Sequence, residues 1–211
     1  MSTEQEIEVV SRLLEDLDRP IIVELGAHCG EDSEWMRQAC HDLHMLNVMV
    51  EPDHRNVEII RHDRRGRKTV IIEAAIADYT GMIDFNLAID SRCEGGRSGS
   101  GSIREPEGHR ITFPEIHFVP GVKVPCWSLD HLCASLGVAK RIDMLWVDVQ
   151  GAERDVIAGG QEALLTTRYI FVESERVELY QGQALRDELL ELLPGFRVIE
   201  EFDYNLLLEA R

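Results

Sequence analysis

The chain has 211 residues, 44% hydrophobic and 29% charged, with a formal net charge of −17. That length suits one domain with a substantial core, and the charge repels phosphate backbones and anionic lipids, which argues against nucleic acid or membrane partners. No apolar run is long enough to span a bilayer, and residues 1–15 are acidic and polar where a secretory leader is basic and then apolar, so a cytoplasmic protein is expected, with Cys29, Cys40, Cys93, Cys126 and Cys133 reduced.

Residues 20–25 form a short apolar run stopped by Gly26, the pattern of a strand buried on both faces. A helix follows, with Trp35, Met36, Ala39, Cys40 and Leu43 on one face and Ser33 as its cap. Leu46–Val50 reads as a second strand ending at Glu51-Pro52, residues 56–61 as a helix, and Thr69–Ala75 as a third buried strand. The basic stretch at 61–68 reads as a solvated helix end and turn. Residues 82–88 and 115–126 alternate like the two arms of an inserted antiparallel hairpin. The Gly- and Ser-rich segment between them is a disordered connection or a substrate lid, so that the insertion covers about 82–126. Alternation then resumes, with helices at 129–136, 153–165 and 184–193 and strands at 142–147 and 169–173. The strands at 195–201 and 204–209 read as a terminal hairpin turning at Asp203 and finishing the sheet with a reversed pair. The expected fold is α/β: a Rossmann-like, doubly wound mixed sheet of about seven strands with a reversed terminal strand, in a single domain spanning residues 1–211.

In such sheets ligands sit beyond the carboxyl ends of the strands, near the point where strand order reverses. Four strand ends there carry chemistry. The first is the loop Glu24-Leu25-Gly26-Ala27-His28-Cys29-Gly30, whose glycines permit a close approach to a ligand. His28 stands where a dinucleotide fingerprint needs its second glycine, which disfavours a pyrophosphate. Glu24, Glu31, Asp32 and Glu34 crowd the loop with negative charge, suited to a ligand bearing an ammonium and a sulfonium such as S-adenosylmethionine. Glu51 closes the second strand, where a carboxylate can accept hydrogen bonds from both hydroxyls of a ribose. Ala75, among the small residues of 73–78, leaves room for a flat adenine. Asp148, at the end of 142–147, is placed to take a proton or orient an acceptor, with Glu153 just beyond and Glu173 at the next strand end. The acidic residues around Asp148 could also hold a divalent cation, but no ligand set is fixed and metal dependence stays open.

The segments VELGAHCG, VMVEPD, VDVQGAERDVIAGG, VESERVELYQGQ and GFRVIEEFDYNLLLEA resemble, in this order, the FkbM family of methyltransferases over about residues 21–209. The resemblance implies a seven-stranded methyltransferase sheet, S-adenosylmethionine as cofactor, and O-methylation of a hydroxyl on a sugar, glycan or other small metabolite. It implies cofactor contacts at Glu24, Gly26, Gly30 and Glu51 and an acidic active edge at Asp148 and Glu153. Gln150 departs from the family pattern, which usually has Glu there; Ser100, Ser102 and Tyr180 match further family positions, although a flexible Gly/Ser linker also accounts for the serines. Three rivals remain open at this point: a nicotinamide-dependent oxidoreductase, a cofactor-binding or scaffold module without turnover, and a methyltransferase acting on protein or nucleic acid. Acceptor identity and oligomeric state are not legible.

Overall fold

The structure, a computed structural model, describes residues 2–40, 45–63 and 68–211. The elements in chain order are α1 (Glu4–Glu15), β1 (Ile21–Leu25), α2 (Glu31–Ala39), β2 (Leu46–Val50), α3 (His54–Asp63), β3 (Thr69–Ile72), β4 (Ala75–Ile76), β5 (Gly81–Asp90), α4 (Glu107–Thr112) and β6 (Ile116–Trp127). They continue as α5 (Leu129–Leu136), β7 (Ile142–Val147), α6 (Glu153–Ala158), α7 (Gln161–Leu164), β8 (Thr167–Glu173), α8 (Arg186–Leu192), β9 (Phe196–Glu201) and β10 (Asn205–Ala210).

Seven strands form one sheet in the order β3-β2-β1-β7-β8-β10-β9. β1, β2, β3, β7 and β8 pair in parallel, while β10 runs antiparallel to both β8 and β9. The Rossmann-like mixed sheet is therefore as expected, but only β10 is reversed, not the terminal pair: β9 sits on the outer edge and β10 inserts beside β8. Order reverses between β1 and β7, so Leu25 and Val147, paired in register, mark the crevice.

Strand alternation sends neighbouring side chains to opposite layers. Leu145 and Val147 pack with Leu129, Leu132 and Leu189 on one face. Met144 and Trp146 pack with Val10, Leu14 and Met36 on the other, where Trp146 stacks on Phe171 at 3.8 Å between ring centroids. α1 closes that second layer. Its start is a capping box, Thr3 accepting from Glu6 N while Glu6 accepts from Thr3 N, a Thr-x-x-Glu signal that marks this helix in the sequence although the reading above passed over it.

Other departures have local causes. Ser33 is not a cap: Gly30, in the left-handed region, starts α2, and Ser33 is buried inside it, donating to Glu24. The third buried strand ends early at Ile72 and is only half-buried, as an edge strand; Ala75–Ile76 leave for a separate sheet of order β4-β6-β5. That sheet contains the expected antiparallel pair β5–β6. The helix expected over 153–165 breaks at Gly159-Gly160, where a Cβ on Gly159 would lie 2.5 Å from Ala77 O and one on Gly160 2.7 Å from a Leu129 methyl. Leu43 and part of the 61–68 basic stretch lie outside the described residues. Among the described residues no helix is long and apolar enough to cross a membrane.

Candidate active site

At the crevice the backbones of two strand ends touch. Gly26, with φ of 83°, lies so close to Asp148 that a Cβ there would meet the Asp148 carbonyl oxygen at 1.7 Å. Asp148 N donates to Leu25 O, and Gly26 N and Ala27 N both donate to Val50 O. A cavity of about 300 Å³ opens here, bounded by Gly26, Ala27, His28, Glu51, the Ala74–Ile76 wall and Asp148, with Ser98–Ile103 closing it from above.

Glu51 is buried and its carboxylate is already engaged: Oε2 accepts from His28 N at 2.9 Å, and Oε1 from Asp53 N at 2.8 Å and Asn56 Nδ2 at 3.3 Å. Burial, only partly offset by these donors, pushes its pKa up to about 7. His28 adopts φ of 45° and its Nδ1 faces Glu31 Oε2 at 3.2 Å. Burial opposes a charge on this ring, but Cys29 and Glu31 outweigh it and raise the pKa.

Gln150, also left-handed at φ of 53°, joins the acidic groups. Its Nε2 donates to Asp148 Oδ1 at 2.7 Å and to Glu173 Oε2 at 2.9 Å. The Tyr180 hydroxyl lies 2.9 Å from both Gln150 Oε1 and Ser100 O. Burial raises Glu173 well above the usual carboxylate range, and the Asp148 charge adds to the shift. Burial and then Asp32 raise Asp148 too, while Gln150 pulls it back.

The Gly/Ser segment is neither a loose connection nor a flexible linker. Ser102 exchanges backbone hydrogen bonds with Asn86, and its Oγ donates to Gln150 O at 2.6 Å. Arg104 forms a two-pronged ion pair with Asp155 at the start of α6. The family positions Ser100, Ser102 and Tyr180 therefore meet around Gln150, a convergence that linear order does not show.

Of the expected residues, Gly26, Ala27, His28, Glu51, Ala75, Asp148 and Glu173 come together on this cavity. Three do not. Glu24 is buried beneath the loop, hydrogen-bonded by Ser33. Gly30 turns the chain into α2, its N–H bonded to Ala27 O at 2.7 Å. Glu153, at the start of α6, accepts from Gly151 N at 3.1 Å and borders an apolar void between β7 and α6; it does not line the cavity but lies within electrostatic reach of Asp148 and Glu173. Asp32, expected from sequence as part of the acidic surround, and the Ser98–Ile103 segment, expected as a connection or lid, also line the cavity, whereas Pro52, Asp53, Asn56 and Phe85 on its wall are missed from sequence. Among the described residues, one group of three could share a metal ion: His28, Cys29 and Glu31, with ligand atoms within 4.8 Å of one another.

The methyltransferase FkbM domain profile matches residues 24–206. The chain is 36% identical over 191 residues to the 2-O-methyltransferase NoeI of Sinorhizobium fredii, covering 90% of this chain and 77% of that one. Its fold matches the solved methyltransferase FkbM of Methylobacillus flagellatus KT with TM-score 0.55 at 12% identity, over 91% of this chain and 43% of the other. It also matches the precorrin-6y C5,15-methyltransferase of Geobacter metallireducens GS-15 with TM-score 0.51 at 11% identity, over 100% and 89%.

Proposed function

The chain belongs to the methyltransferase FkbM domain family and is an S-adenosylmethionine-dependent methyltransferase, and from that premise we propose that it methylates a hydroxyl oxygen of a sugar, glycan or other small metabolite. The observation that carries the reading is the contact of Gly26 with Asp148, which joins a glycine-turned cavity to a carboxylate pair. The cavity suits the cofactor: Ala74, Ala75 and Ile76 offer an apolar wall for adenine, and Glu51 keeps acceptor capacity for one ribose hydroxyl, since a carboxylate has about four lone-pair sites and Glu51 uses three. Glu31 and Asp32 add negative charge at the rim. When bound there, S-adenosylmethionine supplies an electrophilic methyl group carried on a cationic sulfur.

The residues of the chain do the rest. Gln150 holds Asp148 by Oδ1, and Oδ2 takes the proton of the acceptor hydroxyl. Glu173, protonated and fixed by the same amide, steadies the negative charge of Asp148 and orients the acceptor. The loop at 98–103 lines the cavity and is tied down by Ser102 Oγ donating to Gln150 O. Positioning of this kind is worth roughly 7–11 kcal/mol in favourable cases, and a general base adds about 10²–10⁴-fold. Glu153 is assigned no chemical step.

A module without turnover is disfavoured by Gln150 itself, since its amide organises the carboxylate pair. The test is transfer of a labelled methyl group to a panel of glycans and small alcohols, with the product mapped to oxygen. Asp148→Asn is expected to lower turnover by about 10²–10⁴-fold while leaving S-adenosylhomocysteine affinity within about threefold. A folded protein that binds the cofactor and methylates only nitrogen or carbon overturns the reading.

A further inference from the structure

A second cleft, of about 1040 Å³, adjoins the cofactor cavity and shares Asp32, Asp148 and Glu173 with it. Its walls come from the start of α1, Asp32 of α2, the end of α4, the ends of β7 and β8, the loop after β8 and the β9–β10 turn. Three of the molecule's exposed large apolar side chains stand on it, Phe113, Val177 and Tyr204, the last at 63% exposure. Aromatic groups left in water on the wall of a cleft that ends at the reactive carboxylates suit the apolar faces of sugar rings, and a nearby cation as well.

The charge lining of this cleft is one-sided. Among the described residues no Lys, Arg or His lines it, whereas Glu4, Glu175, Glu201 and Asp203 do, beyond the shared acids. Glu6 is spent in the α1 capping box and on Asn205. Arg186, buried behind the wall, approaches Glu201 at 3.6 Å and donates to the carbonyls of Phe202 and Asp203, leaving the carboxylates of Glu4 and Asp203 without a cationic partner in hydrogen-bonding contact. Resting on the reading above, we infer that this cleft is the acceptor site and that it selects a glycan bearing a protonated amino group, with the ammonium against Glu4 and Asp203 and the hydroxyl at Asp148. The same field disfavours phosphorylated sugars and sugar nucleotides, because among the described residues that line the cleft an anion meets carboxylates and no basic side chain.

The test compares two tetrasaccharides with the same backbone, tetraglucosamine with its amino groups protonated and its neutral, fully N-acetylated form, titrated near pH 6 in low salt in the presence of S-adenosylhomocysteine. The amino form is expected to bind at least about tenfold more tightly, a preference falling below about threefold in the double variant Glu4→Gln/Asp203→Asn and weakening with added salt. Equal or weaker binding of the amino form, binding of neither form, or a preference that survives both substitutions overturns the inference. S-adenosylhomocysteine affinity, read in the same samples, separates the two levels. Its absence contradicts the methyltransferase reading, whereas its presence without amine preference contradicts the acceptor assignment alone.

Discussion

The Tyr180 hydroxyl lies 2.9 Å from Gln150 Oε1, so the amide oxygen is turned to Tyr180 and both amide hydrogens to Asp148 and Glu173. The phenol's own pKa is pushed up by burial, so it stays neutral and able to donate. Tyr180→Phe removes the hydrogen bond that fixes this orientation. Loss of one such bond is worth about 1 kcal/mol, so turnover is expected to fall about fivefold, with S-adenosylhomocysteine affinity unchanged within about twofold. Steady-state kinetics with calorimetric titration check both halves.

Gln150→Glu, the residue that the family resemblance leads one to expect, would put a third carboxyl group against Asp148 and Glu173. A carboxylate cannot donate to two carboxylates, so the variant must hold extra protons to keep the arrangement. Its melting temperature is expected to match the parent near pH 5 and to fall progressively below it toward pH 8. A constant offset across that range contradicts the charge argument.

Glu51 titrates about 7, and its anion is the better acceptor for a hydroxyl. Affinity for S-adenosylhomocysteine should therefore rise as pH increases through about 7. Glu51→Gln, which preserves size and some acceptor capacity, is expected to cost about tenfold in affinity above that pH and to flatten the profile. Calorimetry at pH 6 and 8 reads both effects.

Glu153 gives a stability prediction with the opposite kind of readout. Burial pushes its pKa up to about 7 from an unperturbed 4.5, and Oε2 has no hydrogen-bond partner. The folded state thus binds more protons than the unfolded chain between these values. The stability is fully present below pH 4.5 and is lost as pH rises through 7, a slope that integrates to about 3 kcal/mol for this group. Glu153→Gln keeps a group able to accept from Gly151 N and removes that share of the slope, measurable by denaturant unfolding at pH 5 and 8.

Much of the fold is legible because periodicity and breakers agree: β2, α5 and β7 fall where the apolar runs and their flanking residues place them. The misses are tertiary. Nothing local tells that Ala75 leaves one sheet for another, or that Gly159 is pressed against Ala77 O by the chain crossing it. The site was legible as strand ends, which is why Gly26, Glu51, Asp148 and Glu173 converge. Which carboxylates face the cavity was not: Glu24 alternates toward α2 and Glu153 toward the core, a matter of side-chain direction that spacing alone leaves open. Ser100 and Ser102 become readable only once Tyr180 and Gln150, far along the chain, are brought beside them.

The account rests on the cofactor lying between Gly26 and Glu51. Amide hydrogen exchange with and without S-adenosylhomocysteine tests this directly. Added protection is expected at residues 26–31, 51–53 and 74–76, extending to the loop at 98–103. Unchanged exchange in these segments, or protection confined to any other part of the chain, contradicts the assignment.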